Sequence, residues 1–305
     1  SVFQDAVRLL FEGRFGHALK KAAEAHSAGE APGLAALIAA RAAQRMRESG
    51  KQEAWLDRAT QDDARTEVAR LMLEAEMFLD ARRFDDAVTV LARLHQLAGR
   101  HIAALRLELR AQQGAGHWNE VLRIARQLEK RDALAFEAFR EVTLRAHCEN
   151  VTQHAGDLGL LLAYLREVPE REMGAKLVCE AADLLIAQGS HEAARRLIED
   201  QLAREWDSEL VIRFGRTEGD VSGRIAKAEA WLTAHPRDAA LLVVLGRLCI
   251  LQQLWGKAQS YLDAALSIED SCDTRLVLAG LAERLERQDE ANRHYRAAAQ
   301  LSVAR

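Results

Sequence analysis

A pattern of small and apolar residues recurs along this chain with a spacing close to 34 residues, and it constrains the fold more than any other feature. In the clear copies, a small or apolar residue is followed four and seven positions later by further small or apolar residues, as in Ala87, Leu91 and Leu94. The nine copies begin at Ala18, Ala54, Ala87, Val121, Leu158, Ala193, Ala226, Ala258 and Ala291. Successive copies are 36, 33, 34, 37, 35, 33, 32 and 33 residues apart.

The spacing within each copy predicts a helix, because residues four and seven positions apart lie on one face of an α-helix. A second apolar-periodic stretch precedes the copy, as at 69–79, which predicts two antiparallel helices per repeat. An aromatic residue stands three positions before four copies and is expected to close the corner between two helices: Phe15, Phe84, Trp118 and Trp255. A period near 34 residues is that of tetratricopeptide repeats, and the signatures of ankyrin and leucine-rich repeats are absent.

We therefore predict an all-α fold, a tetratricopeptide-type α-solenoid in which about nine helical hairpins stack into a right-handed superhelix. One repeat domain is expected over residues 1–305, with distorted repeats near 148–173 and 205–223, where polar and glycine-rich stretches weaken the pattern. Close packing of the paired helices is assigned to small residues: Ala18, Ala54, Ala87, Val121, Ala193, Ala258, Ala265, Ala291 and Ala298. The stacked hairpins are expected to leave a concave face that binds other molecules.

Composition agrees with helices and argues against several functional classes. Aromatic residues make up only 5% of the chain, and its three prolines fall where one repeat meets the next: Pro32, Pro169 and Pro236. The formal net charge of −4 disfavours binding to nucleic acid. The four cysteines are too scattered for a disulfide framework or a zinc module. No apolar run reaches the roughly 20 residues that cross a bilayer, and the missing initiator methionine leads us to expect a segment of a longer protein.

No catalytic motif is recognisable. Glycine-rich phosphate loops, Gly-x-Ser-x-Gly and His-Glu-x-x-His are all absent, so we expect a binding protein with no catalytic residues and no metal site, rather than an enzyme.

The residues expected to bind partners lie on the first helix of a hairpin, which should line the concave face. Arg106 and Arg110 lie one turn apart, and their guanidinium groups would suit carboxylates. The alternative is a solvated face whose charge is balanced by Glu108 and Glu120. The other candidates at equivalent inward positions are Met72, Glu76, Gln113 and Arg247.

His147, Cys148 and His154 form the only close group of side chains that could ligate haem. Adjacent residues point about 100° apart on a helix, however, and a lone cysteine is usually a small buried apolar residue. We therefore expect no cofactor, with haem as the alternative.

Several segments resemble the HemY family in sequence and in order. Early in the chain they are Leu-Leu-Phe-Glu-Gly-Arg at 9–14, Leu-Ile-Ala-Ala-Arg-Ala-Ala-Gln at 37–44 and Trp-Leu-Asp-Arg-Ala at 55–59. Late in the chain they are Leu-Gly at 245–246, Leu-Trp-Gly-Lys-Ala-Gln at 254–259, Ala-Ala-Leu at 264–266 and Leu-Ala-Glu-Arg-Leu at 281–285. The resemblance implies a bacterial inner-membrane tetratricopeptide protein of late protohaem synthesis, whose two N-terminal transmembrane helices would precede this chain. It implies no catalytic residues.

The sequence and the resemblance together predict a protein–protein interaction scaffold for haem-biosynthesis enzymes, with the repeat domain on the cytoplasmic side of the inner membrane. Three alternatives stay open: a haem or porphyrin carrier, a general tetratricopeptide adaptor in envelope assembly, and a pentatricopeptide-like RNA binder. The acidic net charge argues against the last of these.

Overall fold

The computed structural model describes residues 1–62 and 64–303; residue 63 and the last two residues of the expected 1–305 domain lie outside the described residues. The described chain forms eighteen α-helices and two short 3₁₀ turns, with no strand. Consecutive helices form nine hairpins, and we call the first helix of each hairpin the A helix and the second the B helix. The predicted all-α, tetratricopeptide-type fold is confirmed.

Contacts between helices divide the chain into two compact units, Ser1–Ala146 and His147–Arg305, and the boundary falls within α9. The first five hairpins are α1 (Val2–Phe11) with α2 (Phe15–Ser27), α3 (Pro32–Arg45) with α4 (Ser49–Asp62), α5 (Glu67–Asp80) with α6 (Phe84–Ala98), α7 (Ile102–Ala115) with α8 (Trp118–Lys130), and α9 (Phe136–Gln153) with α10 (Leu158–Glu167). The last four are α11 (Ala175–Ala187) with α12 (His191–Arg204), α13 (Ser208–Arg216) with α14 (Val221–Ala234), α15 (Ala239–Leu251) with α16 (Trp255–Ile268), and α17 (Cys272–Arg284) with α18 (Gln288–Val303).

Within each unit, the helices that pack together are neighbours in the sequence. They are either consecutive helices or the A helices of consecutive hairpins, such as α3 with α5 and α13 with α15. Each unit therefore builds its core from local contacts between successive repeats, as expected of a solenoid.

Small and apolar residues of the B helices form the centre of each hairpin, as the repeat pattern predicts. The fully or almost fully buried positions among those predicted are Ala18, Ala87, Val121, Ala258, Ala265, Ala291 and Ala298. Four of the B helices begin at the predicted aromatic residue, namely Phe15, Phe84, Trp118 and Trp255. The Phe84 ring packs so closely on α7 that a Cβ atom at Gly114 would lie 2.3 Å from it.

The packing role predicted for Ala54 and Ala193 is wrong, because Ala54 is exposed and Ala193 only half-buried. In α4 the buried residues spaced by four and seven are Gln52, Leu56 and Ala59, and in α12 the series begins at Ala194. Alanine fits a small first position better than glutamine does in α4, and in α12 two adjacent alanines, Ala193 and Ala194, fit it equally well.

The buried series also starts at a different residue from the predicted one in two other weak copies, those of α10 and α14. The buried series begins at Leu161 in α10 and at Arg224 in α14, where Leu158 is half-buried and Ala226 is exposed. The first residues of the nine buried series are then 18, 52, 87, 121, 161, 194, 224, 258 and 291, with intervals of 34, 35, 34, 40, 33, 30, 34 and 33.

The two unusual intervals fall where the repeat pattern is weak in the sequence. The longer one, from Val121 to Leu161, contains the 18-residue helix α9. The 3₁₀ turn Glu170–Glu172 follows α10 and lies in the next interval. The shorter one contains α13, which has nine residues. After α13 the buried Arg224 donates hydrogen bonds to the backbone oxygens of Thr217 and Gly219, so a charged side chain holds the tight connection to α14.

All three prolines stand where one hairpin meets the next, either between hairpins or at the first residue of an A helix. Pro32 is the first residue of α3, Pro169 immediately precedes the second 3₁₀ turn, and Pro236 lies between α14 and α15. At these positions proline removes no hydrogen bond from a helix interior. None of the described helices has the length and apolar character needed to span a membrane.

Candidate functional site

The residues predicted to bind partners lie on A helices and fall into both units. Met72 and Glu76 belong to α5, Arg106, Arg110 and Gln113 to α7, and Arg247 to α15. Each is exposed or half-buried, so none belongs to the closed core of a hairpin. The first five lie in the first unit and Arg247 in the second, so they are described separately below.

Glu76 is part of a polar network between the A helices of the second and third hairpins. The Arg41 guanidinium on α3 donates to both carboxylate oxygens of Glu76, with 3.2 Å between Nη2 and Oε1. Gln44, one turn further along α3, donates from Nε2 to Glu76 at 3.2 Å and to Asp80 at 3.3 Å. This two-point arginine–carboxylate pairing fixes α3 against α5 in a defined register.

The network forms one wall of a cleft of about 740 Å³. The cleft lies between the C-terminal half of α3, the turn into α4 and the C-terminal half of α5; its lining residues are Arg41, Gln44, Arg45, Arg47, Ser49, Gln52, Glu76, Met77, Asp80 and Ala81. Arg45 and Arg47 are exposed and, among the described residues, neither belongs to an ion pair. Met72 does not line the cleft. The cleft therefore contains one arginine that the protein already neutralises, Arg41, and two that are available to a ligand, Arg45 and Arg47.

Gln52 lines the cleft from the first turns of α4 and is only 3% exposed. Its amide nitrogen Nε2 is buried and has no hydrogen-bond partner in the described part of the chain. Sequence reasoning missed this residue because the repeat pattern was placed on Ala54. The series Gln52, Leu56 and Ala59 was the signal that could have identified it.

Arg106 and Arg110 are both exposed on α7. Arg106 donates to the backbone oxygen of Ala133, at 3.1 Å, in the connection to α9. Arg110 has no hydrogen bond or ion pair within the described residues, and Gln113 is half-buried beside it. Arg110 is therefore available to bind a partner.

The balancing role considered for Glu108 and Glu120 is wrong. Glu108 is 6% exposed and accepts a hydrogen bond of 2.7 Å from Nε2 of His95 on α6, so it faces the core between α6 and α7. Glu120 accepts from Nε of Arg123 at 2.9 Å within α8. Neither carboxylate neutralises Arg106 or Arg110, so the positive charge on this face of α7 is not compensated by them.

In the second unit, Arg247 lies beside a smaller groove of about 180 Å³. The groove lies between the A helices α13, α15 and α17, and its apolar lining includes Ile212, Val243 and Val244. Arg247 pairs with Asp273 at 2.5 Å, which joins α15 to α17. Arg247 and Glu76 thus occupy comparable positions in their repeats, each within an ion pair between successive A helices.

His147, Cys148 and His154 do not form a ligand set. His147 is 2% exposed, and both ring nitrogens are hydrogen-bonded: Nε2 lies 2.7 Å from Glu172 Oε2 and Nδ1 lies 2.7 Å from the Tyr164 hydroxyl. Asn150 donates to the same hydroxyl at 2.9 Å, so the tyrosine can donate in turn to Nδ1 of His147. The histidine therefore has a structural role in tying α9 to α10 and to the turn that follows.

Two of the four cysteines, Cys179 and Cys249, are buried, and Cys148 and Cys272 are half-buried. All four are free, and burial together with a hydrogen bond to Glu180 raises the pKa of Cys148 to about 12. Burial also raises the pKa of Cys179 and of Cys249. In the described part of the chain, no group of three or more histidine, cysteine or acidic side chains is arranged to hold a metal ion.

Comparison with known proteins finds similarity to one curated protein over most of the chain. No protein-family profile matches. The chain is 24% identical to protein HemY of Escherichia coli K12 over 301 residues, which cover 94% of this chain and 73% of that protein. HemY of Shigella flexneri gives the same figures.

Solved structures with similar coordinates include tetratricopeptide proteins. A chain of the APC/C hetero-tetramer of Cut9 and Hcn1 is 11% identical, with a TM-score of 0.38 over 97% of this chain and 65% of that one. A tetratricopeptide repeat protein of Parabacteroides merdae is 10% identical, with a TM-score of 0.33 over 87% of this chain and 91% of that one.

Proposed function

We propose that this protein is a non-catalytic scaffold that holds segments of other proteins on the A-helix faces of its repeats, and that it belongs with the HemY proteins it resembles. The tetratricopeptide-type fold supports a protein-interaction scaffold, since repeats of this type present extended surfaces built from successive A helices. The observation that carries the proposal is the cleft of about 740 Å³ between α3 and α5, which is lined by hydrogen-bonding side chains of two successive repeats.

The partners we propose are enzymes of late haem synthesis at the bacterial inner membrane. This finer assignment is supported by the similarity to HemY over 94% of the chain. We propose the cytoplasmic side for the repeats, because four free cysteines suit a reducing compartment.

A haem carrier is the less well supported function. His147 is deeply buried, and both of its ring nitrogens are hydrogen-bonded, one to Tyr164 and the other to Glu172. An axial ligand needs a free nitrogen, so binding iron would break a buried hydrogen-bonded network.

The scaffold proposal is tested by site-specific photo-crosslinking in cells that express the full-length protein. A photo-reactive amino acid replaces Arg110 on the exposed face of α7, and in a matched variant it replaces Gln96, an exposed residue of the B helix α6. We expect adducts that mass spectrometry identifies as haem-synthesis enzymes from position 110 and not from position 96.

Equal yields from the two positions, or no adduct from either, would contradict a scaffold that uses its A helices. Adducts formed only with envelope-assembly proteins would support the adaptor alternative and remove the link to haem synthesis.

A further inference from the structure

Gln52 is the first residue of the buried series in α4. In most other repeats this position holds a buried small or apolar side chain. The equivalent residues are Ala18, Ala87, Ala258 and Ala291 in four other hairpins. In α14 the equivalent residue is Arg224, whose buried guanidinium is held by backbone oxygens of Thr217 and Gly219. Gln52 has no such compensation, since its buried Nε2 has no partner in the described residues.

A buried amide without a hydrogen bond destabilises a fold by roughly 1–3 kcal/mol. Alanine at position 52 would avoid this cost and would match the packing of the other hairpins. Gln52 also lines the cleft between α3 and α5. Because Nε2 is buried, a rotation of the side-chain amide would bring this donor to an acceptor on a ligand in the cleft.

The charges of the cleft indicate which acceptor is preferred. Glu76 is already neutralised by Arg41, whereas Asp80 keeps its negative charge because its donor, Gln44, is neutral. The lining therefore carries three arginines against two carboxylates, which leaves it positively charged. Arg45 and Arg47 remain as exposed guanidinium groups outside any ion pair of the described residues. An unpaired N–H donor beside two available cations favours an oxygen ligand that carries negative charge.

We infer that this cleft binds an acidic peptide segment of a partner protein, with one carboxylate accepting a hydrogen bond from Gln52 Nε2 and neighbouring carboxylates pairing with Arg45 and Arg47. The inference rests on the scaffold function proposed above and specifies the chemistry of its partner. The cleft's volume of about 740 Å³ suits several side chains of a peptide.

The test uses fluorescence anisotropy of the whole chain with two labelled peptides. In one peptide, glutamate alternates with alanine and leucine; in the other, glutamine replaces every glutamate. We expect the acidic peptide to bind at least about tenfold more tightly, because charge-assisted hydrogen bonds are worth roughly 1.5–3 kcal/mol. Arg45→Glu combined with Arg47→Glu should remove this preference.

The control variant combines Lys20→Glu with Lys130→Glu. These lysines are exposed on the B helices α2 and α8, and the double change alters the net charge of the same unit by the same amount. If the control weakens binding of the acidic peptide as much as the cleft variant does, the attraction is a general effect of charge and the cleft is not the site.

Gln52→Ala separates a ligand-binding role from a structural one, because the two roles predict opposite results. For a ligand-binding residue, the variant should be at least as stable to urea as the wild type, while its affinity for the acidic peptide falls by about three- to tenfold. A lower urea midpoint with unchanged affinity would overturn the role given to Gln52.

Equal binding of the two peptides, or binding of neither, would overturn the acidic-segment inference as a whole. The scaffold function is judged independently by the crosslinks from position 110. Crosslinked partners together with no preference for the acidic peptide would retain the scaffold and reject only this cleft chemistry.

Discussion

Gly246 lies in the middle of α15, directly against the side chain of Leu262 on α16. A Cβ atom added at Gly246 would lie 2.5 Å from Cγ of Leu262, a branch point that is fully buried. Gly280, in the interior of α17, has no heavy atom within 4 Å of the same ideal Cβ position. Two helical glycines of the same unit therefore stand in opposite surroundings.

Replacement by alanine should stabilise the fold at Gly280 and destabilise it at Gly246. Gly280→Ala should stabilise the fold by about 0.5–1 kcal/mol, because alanine restricts the unfolded chain and favours helix. Gly246→Ala should destabilise it by about 1–3 kcal/mol, since overpacking against Leu262 outweighs the gain in helix propensity. Urea unfolding monitored by circular dichroism measures both changes, and a stabilised Gly246→Ala would show that α15 and α16 have room to separate.

At the scale of the single helix, the packing of each B helix depends on which residue starts its buried series. In α16 the series starts at the fully buried Ala258, and in α14 the alanine suggested by the sequence pattern, Ala226, is exposed. Where the series starts at a fully buried alanine, as in α16, the A helix packs closely on that position, which then tolerates little added volume and no unpaired charge.

Ala258→Glu should therefore unfold the hairpin formed by α15 and α16, with a loss of about 3 kcal/mol or more. Ala226→Glu introduces the same side chain on an exposed face and should change stability by less than about 0.5 kcal/mol. Thermal melts of the two variants measure the difference. Similar melting temperatures for both would contradict the register of the buried series described here.

The register of a B helix agrees with the sequence pattern in five of the hairpins, as for Ala87, Leu91 and Leu94 in α6. It differs in α4 and α14, where a polar residue, Gln52 or Arg224, starts the buried series. It also differs in α10 and α12, where another small or apolar residue nearby fits the pattern equally well. A pattern search ranks residues by polarity, whereas the fold accepts a polar side chain if a cleft or a backbone oxygen lies beside it.

The candidate site could be predicted only in part, for a similar reason. Glu76 and Arg247 were assigned to A-helix faces by position, but their partners, Arg41 and Asp273, lie on other A helices. Which residues meet across two repeats depends on the rotation of each helix about its axis. The period of a single repeat carries no information about that rotation.

At the scale of the whole molecule, stability within each of the two units is expected to be distributed among neighbouring hairpins, because packing there joins consecutive helices and consecutive A helices. In such an arrangement each hairpin is stabilised by its own contacts and by those with adjacent repeats. Damage to one hairpin should then remain local and should fade along the chain.

Leu91→Ala tests this expectation, because Leu91 is fully buried in α6 and its truncation should destabilise the surrounding repeats by about 2–5 kcal/mol. Native-state hydrogen exchange read by mass spectrometry should show faster exchange in α5 to α8 and unchanged exchange in α15 to α18. An equal increase along the entire chain would instead indicate a single cooperative unit.

The restriction of helix packing to near neighbours also bears on how the chain is made. A bond between repeats such as that from Gln44 to Asp80 links residues only 36 positions apart. During translation, each hairpin can pack against the hairpin that was synthesised just before it. This packing does not require the C-terminal part of the chain. Folding can thus keep pace with synthesis, and little apolar surface stays exposed while the rest of the polypeptide is still being made.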